Sequence, residues 1–203
     1  MLAPPGGCDV RVMARITIID GHPDPDRGHF VHALADAYAE GALTRHEVMR
    51  VEVAELDFPL LRSPKAWLED APPPDIAAAQ QAIAWAEHLV FAYPLWLGDV
   101  PALFKGFLEQ VARPGFALGR MGKGFPEKLL LGRSARVIVT MGMPAAFYQL
   151  FYRAHSLKSL ERNILAFSGV APIRHSIVGS VDKGDAHRRK WLQRVRELGV
   201  VAG

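Results

Sequence analysis

The sequence has almost no cysteine and no long apolar run. Its 203 residues contain one cysteine, Cys8, so an internal disulfide is excluded and a reducing cytoplasm is the expected location. The longest apolar stretch, residues 89–97, falls far short of the roughly 18 residues that a membrane-spanning helix needs. Residues 1–8 lack the basic and then apolar pattern of a secretory signal. We therefore expect a cytoplasmic protein that is not inserted into a membrane.

Sequence motifs of several catalytic and nucleotide-binding classes are also missing. The chain has neither the Gly-x-x-x-x-Gly-Lys-Ser/Thr of a P-loop nor the Gly-x-Gly-x-x-Gly of a conventional dinucleotide site. No Gly-x-Ser-x-Gly marks a hydrolase. The eight histidines and the lone cysteine show no metal-ligand spacing such as His-x-x-x-His with an acidic partner, so no metal site is expected.

The charge of the chain is weakly basic and mostly dispersed. It contains 24 Lys+Arg against 21 Asp+Glu, which gives a formal net charge of +3. The one dense basic cluster, residues 187–190, falls in a helical pattern near the end of the chain and is interpreted as a solvated helix face. A nucleic-acid partner is therefore not expected.

Short β-branched runs alternate with segments of helical spacing along the chain. The pattern predicts strands at Arg15–Asp20, His46–Val53, Glu87–Tyr93, Arg136–Thr140 and Pro172–Val178, and helices at 30–41, 75–86, 101–111, 145–167 and 185–198. Five such alternations predict an α/β fold in which a doubly wound, five-stranded parallel sheet of order 2-1-3-4-5 carries helices on both faces. We expect residues 15–203 to form one domain, preceded by a disordered leader at 1–14.

An unusually apolar loop follows the third predicted strand. Leu89–Ala92 suits a strand that is buried on both faces, Pro94 ends it, and Pro101 is suited to the first turn of the next helix. In the predicted strand order, a ligand lies beside the carboxyl ends of strands one and three, which carry residues 22–25 and 94–97. A flat, partly apolar ligand such as a flavin ring would cover the apolar side chains of the second loop.

Three segments of the chain resemble those of a known family. They are His22-Pro-x-Pro with Phe30 and Ala33-Leu34; Tyr93-Pro94-Leu95-Trp96 through Val100-Pro101-Ala102-x-x-Lys105-Gly106; and Thr140-x-Gly142 with Tyr148 eight residues after the threonine. They resemble the pyrophosphate loop, the isoalloxazine loop and the pyrimidine-edge segment of the flavodoxin-like NAD(P)H:quinone oxidoreductases, also called the flavodoxin-2 or quinone reductase family. The resemblance runs from about Arg15 to Gly179.

The resemblance implies which residues hold a flavin, either FAD or FMN. Those at the phosphate are His22, His29 and Phe30. Those at the ring are Pro94, Leu95, Trp96 and Leu97. Negative charge develops at one edge of the ring on reduction. The residues whose side chain or backbone N–H groups face that edge are Thr140, Met141, Gly142 and Met143. Tyr148 and His155 resemble a tyrosine and a histidine that donate hydrogen bonds or protons beside the ring, and Tyr148 is also counted as a cofactor contact.

The chain departs from the family pattern at both ends of the expected cofactor site. His29 stands where family members often have Ser or Thr, and Met143 replaces a frequent glycine. The spacing from Tyr148 to His155 is one residue longer than in well-known members. These departures leave the choice between FAD and FMN open.

The resemblance implies a flavin-dependent enzyme in which NAD(P)H delivers a hydride and a quinone or similar small acceptor then takes its place by ping-pong kinetics. A regulatory flavoprotein subunit of a potassium efflux system is the alternative. A short electron carrier is disfavoured, because such carriers are usually acidic. The resemblance also implies a homodimer, for which apolar residues of the 57–74 connection are candidate contacts: Phe58, Leu60, Leu61 and Trp67.

Overall fold

The computed structural model describes residues 13–119 and 124–203, which form a five-stranded sheet covered by helices. The strands are β1 (Arg15–Asp20), β2 (Glu47–Glu52), β3 (His88–Pro94), β4 (Ser134–Thr140) and β5 (Ile173–Val178). All neighbouring strands pair in parallel, and their order is β2-β1-β3-β4-β5. The predicted fold class and strand order are confirmed.

The helices surround the sheet on both faces. They are α1 (Phe30–Ala42), α2 (Pro64–Leu68), α3 (Pro74–Trp85), α4 (Ala102–Val111), α5 (Ala145–Leu150), α6 (His155–Ser159), α7 (Ala166–Ser168) and α8 (Asp185–Val200), with a 3₁₀ turn at Val53–Glu55 and a π-helical turn at Leu160–Leu165. In the described part of the chain, no helix is both long and apolar enough to cross a membrane.

Alternating side chains of the strands build two separate cores. Ile19, Phe91 and Val137 point to a core with α3, α4 and α6, whereas Ile18 and Val90 point to a core with α1 and α8. Strand β3 lies at the centre of the sheet and all seven of its residues are buried. This explains the continuous apolar run that the sequence shows there, since both faces of a central parallel strand are covered.

The connection from β4 to β5 differs from the single long helix expected over residues 145–167. Helix α5 ends at Leu150, and Arg153 and Ala154 both take left-handed backbone conformations, with φ of 52° and 48°. Helix α6 begins only at His155. No glycine or proline interrupts residues 145–167, so the apolar spacing alone gave no sign of this break.

The long connection before α3 contains the helical turn that was expected near Trp67, at α2. Asp75 was expected to cap the next helix. It lies inside the first turn of α3, where its carboxylate instead accepts the N–H of Asp57 at 2.7 Å. The expected leader at 1–14 falls mostly outside the described residues, as does Cys8.

Candidate functional site

The loop between β1 and α1 gathers three histidines around two aspartates. His32 is buried, with its Nδ1 2.6 Å from Asp20 Oδ2 and its Nε2 2.9 Å from the Asp24 carbonyl oxygen. His22 stacks on His29 with ring centroids 4.1 Å apart, and lies 5.0 Å from the ring of His32. These contacts hold the loop against the beginning of α1.

Burial and neighbouring groups shift the pKa values of His22 and Asp24 in this loop. Burial lowers the pKa of His22, and the neighbouring rings of His29 and His32 add to that effect. A neutral His22 has a partner in either tautomer, because its Nδ1 lies 3.0 Å from the Asp24 carbonyl oxygen and 3.1 Å from the Asp24 amide nitrogen. The N–H of Asp26 and the ring of His29 lower the pKa of the exposed Asp24 carboxyl.

The loop between β3 and α4 exposes two apolar side chains. Trp96 is 49% exposed and Leu97 is fully exposed, although both belong to a loop that starts from a completely buried strand. Trp96 and Asp99 bond each other through their backbones at 2.9 Å, which closes a tight turn. Leu97 occupies the left-handed region of this turn, with φ of 49°. Adjacent exposed apolar side chains that are rimmed by polar groups are typical of a ligand or partner surface.

The two loops meet at one place, as the sequence predicted. The rings of His22 and Trp96 approach edge to face with centroids 5.9 Å apart. Gly21, at the end of β1, passes so close to Phe104 of α4 that a Cβ would overlap the ring. The carboxyl ends of β1 and β3 are therefore adjacent, at the place where a doubly wound sheet has its ligand crevice.

The carboxyl end of β4 supplies the third side of the crevice. The N–H of Leu95 donates to the carbonyl oxygen of Thr140 at 2.8 Å, which joins the two loops. Thr140 and Met141 are buried, whereas Gly142 is exposed and Met143 is half-buried. A Cβ on Gly142 would lie 3.6 Å from Asp182 Oδ2, so the loop after β5 brings a carboxylate to this edge.

Several backbone donors in the crevice have no acceptor in the described part of the chain. Within residues 13–119 and 124–203, no acceptor is found for the N–H groups of Leu97, Gly98, Gly142 and Met143. At the first loop, the first-turn N–H groups of α1 begin at Phe30, and a helix start of this kind favours an anion. The crevice thus offers exposed apolar side chains at its centre and hydrogen-bond donors at both ends.

Tyr148 and His155 differ in their exposure to solvent and in their hydrogen-bond partners. Tyr148 is completely buried, and its hydroxyl bonds Ser156 Oγ at 2.8 Å and accepts the N–H of Leu157 at 3.2 Å. His155 is exposed, and its Nδ1 donates to the Tyr152 carbonyl oxygen at 3.0 Å. The Tyr148 hydroxyl joins α5 to α6 and has its partners inside the protein.

Sequence reasoning missed four polar residues at the crevice: Asp20, Asp24, His32 and Asp182. The spacing of Asp20, His22, His29 and His32 around the end of β1 was a usable signal, since His32 follows His29 by one turn of α1 and so faces the same loop. Asp182 gave no such signal, because only the fold brings the β5 loop to Gly142.

The fold and the crevice define a flavodoxin-like α/β protein with a ligand site at the carboxyl edge of a parallel sheet. The chain belongs to the Flavodoxin_2 family, whose model is described as a flavodoxin-like fold and matches residues 14–198. The family expected from the sequence motifs is thereby confirmed.

Individual relatives are similar at low identity. The chain is 26% identical over 197 residues to the "Ribosyldihydronicotinamide dehydrogenase-like protein traD" of Penicillium crustosum, covering 81% of this chain and 67% of that protein. It is 25% identical over 207 residues to the "FMN-dependent NADH:quinone oxidoreductase" of Nostoc punctiforme, covering 89% and 94%. A solved NAD(P)H:quinone oxidoreductase from Methanothermobacter marburgensis superimposes with a TM-score of 0.78 at 24% identity, covering 93% and 96%.

Proposed function

We propose that this protein is a flavin-dependent NAD(P)H oxidoreductase that reduces a quinone or a similar small acceptor. The observation that carries the proposal is the crevice itself, where Trp96 and Leu97 are exposed between unpartnered backbone donors. The names of both curated relatives support it, since one is a quinone oxidoreductase and the other is dehydrogenase-like. The same names give no support to a regulatory subunit of a potassium efflux system.

The proposed cofactor is FMN, and the residues of the crevice fit it. A flat ring would cover the apolar side chains of Trp96 and Leu97, beside Pro94 and Leu95. The phosphate would lie at the start of α1, near His22, His29 and Phe30. FMN is favoured over FAD because the cyanobacterial relative is named as FMN-dependent.

The flavin, when bound, supplies the chemistry, accepting a hydride from NAD(P)H and passing electrons to the acceptor. The chain supplies position and fixed donors. In the tautomer with its proton on Nε2, a neutral His22 donates a hydrogen bond to an anion without adding charge. The N–H groups of Gly142 and Met143 stabilise negative charge at the crevice edge because they are already oriented and need no reorganisation.

Tyr148 and His155 have separate proposed roles. Because the Tyr148 hydroxyl is bonded to Ser156 and Leu157, we assign it the positioning of α6, in place of direct proton donation. His155 is exposed at the start of α6 beside Lys158 and Ser159, so we assign it to binding of the hydride donor and not to proton donation at the acceptor. Donor and acceptor would bind in turn at one place, which gives ping-pong kinetics. The proposed setting is the cytoplasm, and the proposed assembly is a homodimer.

The test is the cofactor and the turnover of the purified protein. We expect a flavin absorption spectrum, release of a cofactor with the mass of FMN, and oxidation of NADH or NADPH that depends on added quinone, with parallel double-reciprocal plots. A protein that binds no flavin when reconstituted, or that oxidises neither nicotinamide with any quinone or dye, would overturn the proposal.

A further inference from the structure

A basic pocket opens on the outer side of α6 and the π-helical turn. Its volume is about 270 Å³, and it is lined by Arg153, His155, Lys158, Ser159, Arg162 and Asn163. Four of these follow the i, i+3, i+4, i+7 spacing that places side chains on one helix face. The lining contains three permanent cations and no acidic residue.

The cations of this pocket have no counterions among the residues that the structure describes. Among residues 13–119 and 124–203, the side chains of Arg153, Lys158 and Arg162 form neither an ion pair nor a hydrogen bond. The carboxylate of Glu161, on the same helical stretch, is engaged by His175 at 2.8 Å. Like charges at this spacing repel one another, so a bound anion would relieve a cost that the folded protein otherwise carries.

Local structure fixes the pocket in place. Arg153 and Ala154 are held in the left-handed backbone region, which costs a residue other than glycine roughly 1–3 kcal/mol. The buried Tyr148 hydroxyl secures the start of α6 through Ser156 and Leu157. The side chains of Arg153 and Lys158 therefore approach one pocket from the loop and from the helix.

The pocket lies a short distance from the crevice along the chain. Helix α5 starts directly after the Gly142–Pro144 segment and has six residues, which is about 9 Å of helix. A nicotinamide dinucleotide with its ring in the crevice has its phosphates and adenosine outside it. To bind there, this part of the molecule would extend along α5 to the basic pocket, whose first residue, Arg153, follows α5 by three residues.

We propose that the pocket binds the 2′-phosphate of NADPH and makes NADPH the preferred hydride donor over NADH; this inference rests on the proposed function. With a volume of about 270 Å³, near the lower end of the range for small-molecule sites, the pocket has room for a phosphate group and the ribose that carries it. A phosphomonoester carries a charge of about −1.5 to −2 near neutral pH and offers several acceptor oxygens, which match guanidinium and ammonium donors.

The kinetic test neutralises two helix-borne cations. In the double variant Lys158→Gln/Arg162→Gln, the ratio of kcat/KM for NADPH to that for NADH falls about 30-fold or more, because each lost charge-assisted contact is worth roughly tenfold. The matched control is Arg189→Gln/Lys190→Gln on the exposed face of α8, which removes the same charge and keeps the ratio within about threefold. An equal drop of the ratio in both double variants would overturn the proposal, since it would then reflect net charge alone.

A binding test that needs no turnover separates this inference from the proposed function. Calorimetric titration of the holoprotein with 2′-phosphorylated ADP-ribose should give at least tenfold tighter binding than ADP-ribose, and Lys158→Gln/Arg162→Gln should abolish the difference. Equal binding of the two ligands overturns the pocket assignment, as does an equal loss for both ligands in the double variant, which would indicate the pyrophosphate. If the discrimination is present while no nicotinamide is oxidised, the pocket assignment stands and the proposed function fails.

Discussion

At the scale of single residues, Leu97 shows a conflict between local stability and the proposed ligand. A leucine with φ of 49° and a fully exposed side chain contributes nothing to the described core and occupies a strained backbone region. A glycine adopts a positive φ at less cost, as the next residue, Gly98, does with φ of 83°. Such an arrangement is retained where the exposed side chain has a partner, and the flavin ring is the partner that we propose.

Two substitutions at Leu97 separate the side chain from the backbone. We expect Leu97→Gly to change the free energy of unfolding of the flavin-free protein by less than about 1 kcal/mol, since relief of strain offsets the added freedom of the unfolded chain. Leu97→Ala keeps the strain and removes most of the side chain. Both variants should weaken FMN binding about tenfold in a fluorescence titration. Unchanged FMN affinity in both would rule out contact between Leu97 and the ring.

His88 makes stability depend on pH. Burial, with a smaller contribution from Arg136, lowers the pKa of His88 to about 4. Its Nδ1 lies 2.7 Å from Ser134 Oγ, and its Nε2 is buried without a partner among the described residues. The unfolded chain therefore takes up a proton near pH 6.5, well before the folded protein does.

The expected result is a free energy of unfolding that rises with pH from about 4 to 6.5, by up to about 3 kcal/mol from this one residue. His88→Asn offers an amide oxygen to Ser134 but does not titrate, so its stability should rise less steeply over the same range. Urea unfolding at half-unit pH steps measures both slopes. Parallel curves for the two proteins would show that His88 titrates alike in the folded and unfolded states.

At the scale of elements, the sequence predicted the strands and loops that have a local residue pattern. It missed the features that depend on contacts between residues distant along the chain. β3 was predictable because its apolar run records burial on both faces, and the loop at Trp96 was predictable because Pro94 and Pro101 bracket it. The break between α5 and α6 was not, since Arg153 and Ala154 carry no turn signal. The N–H of Ala154 donates to the Tyr148 carbonyl oxygen at 3.1 Å, and the Tyr148 hydroxyl bonds Ser156, eight residues away, so contacts across the break accompany this conformation. The site was predicted from three segments, at His22, at residues 94–97 and at residues 140–142, but Asp182 reaches it only through the fold.

The crossing of α1 and α8 depends on two glycines. A Cβ on Gly41 would overlap the carbonyl oxygen of Arg196, and one on Gly199 would overlap that of Tyr38. Gly41→Ala must push the helices apart along a buried contact, so we expect it to lower the free energy of unfolding by about 3 kcal/mol. Gly28→Ala is the control, because its nearest neighbour is the flexible Asp26 carboxylate at 3.3 Å, and it should change stability by about 0.5 kcal/mol or less. Equal losses in the two variants, measured by urea unfolding, would contradict a close helix crossing.

At the scale of the whole molecule, exposed apolar side chains include two on the crevice loop and two at the end of α5. Trp96 and Leu97 belong to the former, and Leu150 and Phe151, at the end of α5, are 80% and 69% exposed. Among the residues expected to contact a second subunit, Phe58 instead packs edge to face on Phe107, whereas Leu60 remains 56% exposed beside Gly106. Leu60, Leu150 and Phe151 are therefore the candidate contacts with a second subunit.

We predict that the protein sediments with twice the mass of one chain at micromolar concentration and that Leu60→Lys shifts it toward the monomer. A lysine at a dimer contact must lose hydration without gaining an acceptor, which costs several kcal/mol, whereas the same change on free surface costs little. Leu43→Lys, at a side chain that is 64% exposed just after α1, is the matched control and should leave the mass unchanged. A monomeric parent protein would exclude a site shared between subunits, while a Leu60→Lys protein that stays dimeric would move the contact to other exposed side chains such as Leu150 and Phe151.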